Sequence, residues 1–153
     1  MPTLIDPRGP RVAAALTSAV LALVLLTAPG TLSTTLLAVQ AAVFAVGALA
    51  GVQHTPYALL FRTLIRPRLG KPAELEDAAP PRFAQAVGLG FTIAALAALL
   101  GGLTTLGLVA VGLALVAALL NAAVGLCLGC EVYLLTKRAL HRSGTRTTVA
   151  PTN

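Results

Sequence analysis

Charge is scarce in this sequence. Acids and bases together make up 10% of the 153 residues, against 57% hydrophobic ones. That balance excludes an ordinary soluble domain. No glycine-rich nucleotide loop, catalytic triad or haem ligand pair is present, and nothing calls for a cofactor. Acids are the rarer sign, with five Asp and Glu against eleven Lys and Arg and a formal charge of +6. Such an excess could suit nucleic acid, but there is no folded soluble segment to carry a basic groove, so that partner is excluded. Cysteine is almost absent. The only two, Cys127 and Cys130, stand three residues apart.

What the chain has is apolar length. Runs over about 12–28, 32–52, 83–100 and 106–135 are separated by Pro29-Gly30, a long polar stretch and Gly101-Gly102. A bilayer takes about 20 apolar residues per helix. Arg8 and Arg11 before the first run resemble the start of a cleaved secretory signal, but the run is long for a signal core and three more follow. The expected fold is all-α: an integral membrane bundle of four transmembrane helices over 1–140, with the lipid bilayer as its first partner. Residues 141–153, rich in Thr, Arg and Ser, are expected to be a disordered tail.

Every Lys and Arg falls in the N-terminus, in the Gln53–Arg82 loop or after Leu135, and neither hairpin connection carries charge. The positive-inside rule then predicts a multi-pass protein of the bacterial inner membrane with both termini, the loop and the cysteines on the cytoplasmic side.

Gly47-x-x-x-Gly51 and Gly125-x-x-x-Gly129 have the spacing that lets helices approach closely in lipid, although an Ala- and Gly-rich composition also produces it by chance. Gln40 and Asn121 fall inside spans and are expected to hydrogen-bond a neighbouring helix. In the loop, Pro56–Arg66 reads as a short interfacial amphipathic helix. Leu59, Leu60, Thr63 and Leu64 form its stripe, Tyr57 and Phe61 lie at headgroup depth, Arg62 and Arg66 reach phosphates, and Pro67 ends it. Glu74, Glu76 and Asp77 are solvated or pair with nearby arginines. Arg11-Val12-Ala13 resembles Arg82-Phe83-Ala84, and Thr34-Thr35-Leu36 resembles Thr104-Thr105-Leu106. A duplicated hairpin or composition alone accounts for the echo.

Cys127, Cys130 and Glu131 share one helical face and form the candidate catalytic group. Four readings stand. The pair exchanges dithiol for disulfide with a partner, or relays sulfur as a persulfide. Alternatively Cys127 and Cys130 ligate a soft metal ion such as copper or mercury, with His54, His141 or Glu131 adding ligands. Or they only pack, in a structural subunit without chemistry. On a helix running to 135 the pair lies near a C-terminus, where the dipole and Glu131 both oppose a thiolate. An offset would come from Arg62, Arg66 or Lys137, or from Gly129 breaking the helix and starting a new turn.

Several stretches together resemble one family. They are Asp6-Pro7-Arg8, Pro56-Tyr57 with Phe61-Arg62, Arg66-Pro67-Arg68-Leu69-Gly70, Pro72 with Glu74 and Glu76-Asp77, Pro80 to Gln85, and Gly125 to Glu131. This combination is similar to the bacterial membrane family designated domain of unknown function 4395 (DUF4395), and covers nearly the whole chain up to Arg138. The resemblance implies a four-span inner-membrane protein, often encoded beside thioredoxin-like or rhodanese-like sulfurtransferase proteins. A cytoplasmic protein of either kind is thus the implied partner. The family label assigns no activity. The chain also resembles quinone-linked membrane thiol oxidoreductases in span number, though their active cysteines face the opposite compartment.

Overall fold

The computed structural model describes residues 3–72 and 74–144. Its helices are α1 (Arg8–Thr27), α2 (Thr31–Leu49), α3 (Pro56–Leu60), α4 (Arg66–Leu69), α5 (Ala79–Leu100), α6 (Thr104–Val124) and α7 (Leu128–Gly144). Two-residue strands β1 (Leu4–Ile5) and β2 (Glu76–Asp77) pair antiparallel, tying the N-terminal lead to the end of the loop. The architecture is all-α, and α1, α2, α5 and α6 are long and apolar enough to cross a bilayer, consistent with a multi-pass membrane protein.

These four helices form a ring in which α1 packs on α2 and α6, and α5 packs on α2 and α6. Each contributes to one core of Leu21, Val24, Leu37, Ala95 and Val111. The outward face of α6 presents Leu106, Val109, Leu113 and Val116, all exposed. Their three- and four-residue spacing makes a continuous apolar stripe that water would not tolerate and lipid would.

The helix expected over 106–135 is divided. Gly125 takes φ 75°, and its N–H closes α6 on the Asn121 carbonyl at 3.1 Å. A left-handed residue cannot continue an α-helix, and glycine adopts that conformation without steric cost. α7 begins three residues later and runs to Gly144, so the backbone is helical through 141–144. The rest of the expected tail, 145–153, lies outside the described residues.

Both long hairpins bring their charges to one end of the ring, where α2 and α6 finish and α1 and α5 start. The carbonyls that a helix leaves unpaired at its C-terminus carry partial negative charge. Arginines from neighbouring helices meet them. Arg82 Nε and Nη2 donate to the Ala48 and Leu49 carbonyls at the end of α2, each at 2.7 Å. Arg11 Nη2 reaches the Ala123 carbonyl of α6 at 3.4 Å. Arg8 donates to the Leu69 and Gly70 carbonyls at the end of α4. Arg82 thus bonds to backbone rather than to the loop acids. The echo between Arg11-Val12-Ala13 and Arg82-Phe83-Ala84 has a structural counterpart: each arginine opens one hairpin and caps the closing helix of the other.

Asp6 holds Arg8 in place. Its Oδ1 accepts from Arg8 N and Nε, both at 3.0 Å, and its Oδ2 from Nη2 at 2.9 Å. The side-chain bond from Arg8 is the main reason the Asp6 carboxyl lies below its ordinary value of 3.8. The pair therefore stays charged at neutral pH. Its contribution is complete above the ordinary carboxylate value and is lost as pH falls through the lowered one.

The central segment forms the expected short helix, with a change of pitch. A π-helical turn, Phe61–Ile65, joins α3 to α4, and the Arg66 N–H bonds back to Phe61 O. In a regular α-helix the ring of Pro67 would press on the Thr63 carbonyl. The wider turn leaves room, so the helix continues past Pro67 to Leu69, where Gly70 ends it at φ 70°. Leu59, Leu60 and Leu64 are exposed as expected. The aromatics turn inward instead. Phe61 is 4% exposed and packs against Gly9, and Tyr57 Oη donates to the buried Gln40 Oε1 at 2.8 Å. Burial raises the Tyr57 hydroxyl above its ordinary ionisation range. Gln40 Nε2 in turn donates to Thr17 Oγ1 at 3.3 Å, so one amide joins α1, α2 and α3. Asn121, expected in the same role, makes no side-chain hydrogen bond among the described residues.

Candidate functional site

The turn between α6 and α7 holds the two cysteines. Because Gly125 ends α6, Cys127 lies at the start of a new helix, one residue before Leu128, rather than near the end of an old one. The N-termini of helices hold unpaired N–H groups, and the Cys127 sulfur takes one of them, while its carbonyl receives the first regular helical bond. Its carbonyl accepts the Glu131 N–H at 3.0 Å, and its Sγ accepts the Cys130 N–H at 3.3 Å. The sulfur thus acts as a cap, the role an oxygen usually fills.

Cys127 and Cys130 are joined as a disulfide, with their Cα atoms 5.2 Å apart. Both side chains are half-buried, while Leu126 and Leu128 beside them are exposed at 41% and 42%. Glu131 is exposed in the first turn of α7. Among the described residues its side chain bonds to neither cysteine. At the start of a helix its charge is favourable to the dipole instead of opposed to it.

Gly129, inside the cysteine motif, sets how α7 sits. A Cβ there would lie 2.7 Å from both the Cα and Cβ of Ala84 on α5. This is a backbone-to-backbone approach with no side chain free to yield. One turn further on, Tyr133 stacks at a tilt on Phe83, ring centroids 5.7 Å apart, and Lys137 Nζ lies 5.5 Å from the Tyr133 ring centre. The motif is therefore fixed against the start of α5 by its own glycine.

The expected sources of positive charge are elsewhere. Arg62 and Arg66 line a cleft with Lys71, and Lys137 is on Tyr133. The cation that does reach the cysteine turn is Arg11, which sequence reasoning missed. A Cβ on Gly125 would meet its guanidinium carbon at 3.8 Å. No pattern in the sequence joins Arg11 to a turn more than a hundred residues away. Gly125 was the better signal, since a glycine after a long apolar run is a common helix stop.

His54 Nδ1 is 2.9 Å from the Ala50 carbonyl, and among the described residues no three of His, Cys, Asp and Glu cluster as a metal site would need. The side chain of His141 lies outside the described residues.

No curated protein and no solved structure matches the chain. The family model described as domain of unknown function (DUF4395) matches residues 5–138, which include the N-terminal Asp6–Arg8 contact, all four long helices and the cysteine turn. The chain therefore belongs to the DUF4395 family.

Proposed function

We propose that Cys127 and Cys130 are a redox-active pair that exchanges electrons with a thioredoxin-like protein on the cytoplasmic side of the bacterial inner membrane. The observation that carries this reading is the placement of Cys127 at the start of α7, its sulfur accepting a backbone N–H from Cys130. A helix N-terminus and an N–H donor both favour a thiolate. The thiolate is the attacking species in exchange.

In the reducing direction the Cys127 thiolate attacks one sulfur of a partner disulfide. A mixed disulfide forms and one partner thiolate leaves. Cys130, giving up its proton, then attacks Cys127 Sγ, closing the 127–130 bond and releasing the partner's second thiolate. Two electrons pass to the partner, and two protons complete its dithiol. The opposite direction uses the same bonds, with the partner dithiol oxidised. The cytoplasmic orientation rests on the concentration of Lys and Arg at this end of the ring. Transfer of a persulfide sulfur from a rhodanese-like donor would use Cys127 in the same position.

A Cys130→Ser variant tests the reading, because it leaves Cys127 able to attack but removes the resolving thiol. It is expected to accumulate a reducible covalent adduct with a cytoplasmic protein containing its own reactive cysteine. Cys127→Ser should not. Absence of any adduct, or equal adducts in both variants, would count against exchange.

A further inference from the structure

The central segment gathers more positive charge on one surface than it balances. Arg62 on the π-helical turn, with Arg66, Pro67, Gly70 and Lys71, lines a shallow cleft of about 370 Å³. Among the described residues, the side chains of Arg62 and Lys71 make no hydrogen bond or ion pair. Arg66 lies close enough to Asp6 to favour its charged form, yet both Asp6 oxygens are already bonded to Arg8. The cleft is thus lined by three cations and no acid. Like charges repel, and the segment is held together by bonds that use none of these three side chains: Arg8 to the Leu69 and Gly70 carbonyls, and Thr63 Oγ1 to the Leu59 carbonyl.

Position narrows the anion. Arg8 opens the first span and bonds the carbonyl of Gly70 in the cleft wall, so the cleft lies at the end of the ring where spans begin. Leu59, Leu60 and Leu64 are exposed on the same segment at 52%, 38% and 52%. Apolar side chains beside cations at that level match the boundary between acyl chains and headgroups. Single π-helical turns also recur at functional sites. We infer that this cleft binds the phosphate of an anionic phospholipid headgroup. Arg62 and Arg66 donate to its oxygens and Lys71 supplies the third charge. The inference does not depend on the cysteine chemistry.

Native mass spectrometry of the full chain, released from dodecyl maltoside with dioleoyl phosphatidylglycerol, tests it. Dioleoyl phosphatidylcholine is the comparison lipid and inorganic phosphate the competitor. Phosphatidylglycerol is expected to be retained in preference to phosphatidylcholine. Arg62→Gln or Lys71→Gln should each weaken retention about fivefold, and Arg62→Gln/Arg66→Gln/Lys71→Gln about a hundredfold. Arg68→Gln should change nothing, because Arg68 donates to the Leu64 carbonyl and does not line the cleft. Displacement by inorganic phosphate with the same sensitivity to the variants would support the phosphate site and assign it to a free anion. Retention unaffected by phosphate would assign it to lipid. If the triple variant loses helicity, the two single variants carry the test. Equal retention in wild type and these variants, or an equal loss from Arg68→Gln, would overturn it.

Discussion

Gly129→Val is expected to push α7 off α5. The Cβ of any residue at 129 meets the Ala84 Cα and Cβ at 2.7 Å, and a branched side chain adds two methyl groups to that collision. Overpacking at a fixed contact costs about 1–3 kcal/mol. α7 has little else to hold it, since its contacts are mainly with α5. The Phe83–Tyr133 stacking would be lost with it. Two readouts follow: faster trypsin cleavage after Lys137 and Arg138, and loss of the adduct trapped by Cys130→Ser. Gly129→Ala should act in the same direction with a smaller effect. Ala84→Gly should restore part of the loss, because it removes one of the two colliding atoms. Unchanged cleavage in Gly129→Val would mean that α7 is not anchored at its own motif.

Arg82→Gln is expected to loosen the joint between the two hairpins. Its guanidinium makes two 2.7 Å bonds to the last carbonyls of α2. Hydrogen bonds involving a charged group contribute about 1.5–3 kcal/mol each when shielded. Arg82 is exposed, so about 2 kcal/mol for the two together is the expected loss. Glutamine is shorter than arginine and restores none of the charge that meets the helix dipole. Thermal unfolding in detergent should show a lower midpoint for Arg82→Gln and a smaller decrease for Arg82→Lys. Arg11→Gln should follow the same pattern more weakly, its bond being longer at 3.4 Å. Equal midpoints for all three would mean the carbonyls are satisfied by water.

The four long apolar helices were legible because each is a long apolar run, and the first three also have clear stops; neither property depends on tertiary context. The glycine pairs were legible only in part. Spacing of four residues suggested two helix-packing faces. In each pair one glycine does pack, Gly47 against Gln85 and Gly129 against Ala84. The other takes a positive φ just past a helix end, Gly51 at 109° and Gly125 at 75°. Both uses of glycine look alike in a sequence, since both need the missing Cβ. The error at Gly125 reversed the electrostatics of the candidate site: it changed the end of one helix into the start of another.

The inward turn of Tyr57 and Phe61 was not legible for a different reason. An aromatic residue beside a span suits either the headgroup layer or a gap in the bundle. Only the buried Gln40 amide and the small Gly9 surface, both distant in sequence, decide between them. The roles of Arg8, Arg11 and Arg82 were hidden in the same way. The clustering of Lys and Arg was legible in the sequence, while their bonds go to carbonyls of helices that the chain supplies elsewhere.

The central claim is that, once reduced, Cys127 is a thiolate reachable from the charged end of the ring. Alkylation of the reduced protein by a membrane-impermeant maleimide in inside-out vesicles, followed against pH, measures both properties together. Cys127 is expected to label rapidly at pH 7, faster than Cys130, with the rate declining as pH is lowered, and right-side-out vesicles should protect it. Labelling of Cys127 only from the opposite face, or only after the bundle is denatured, would contradict the account.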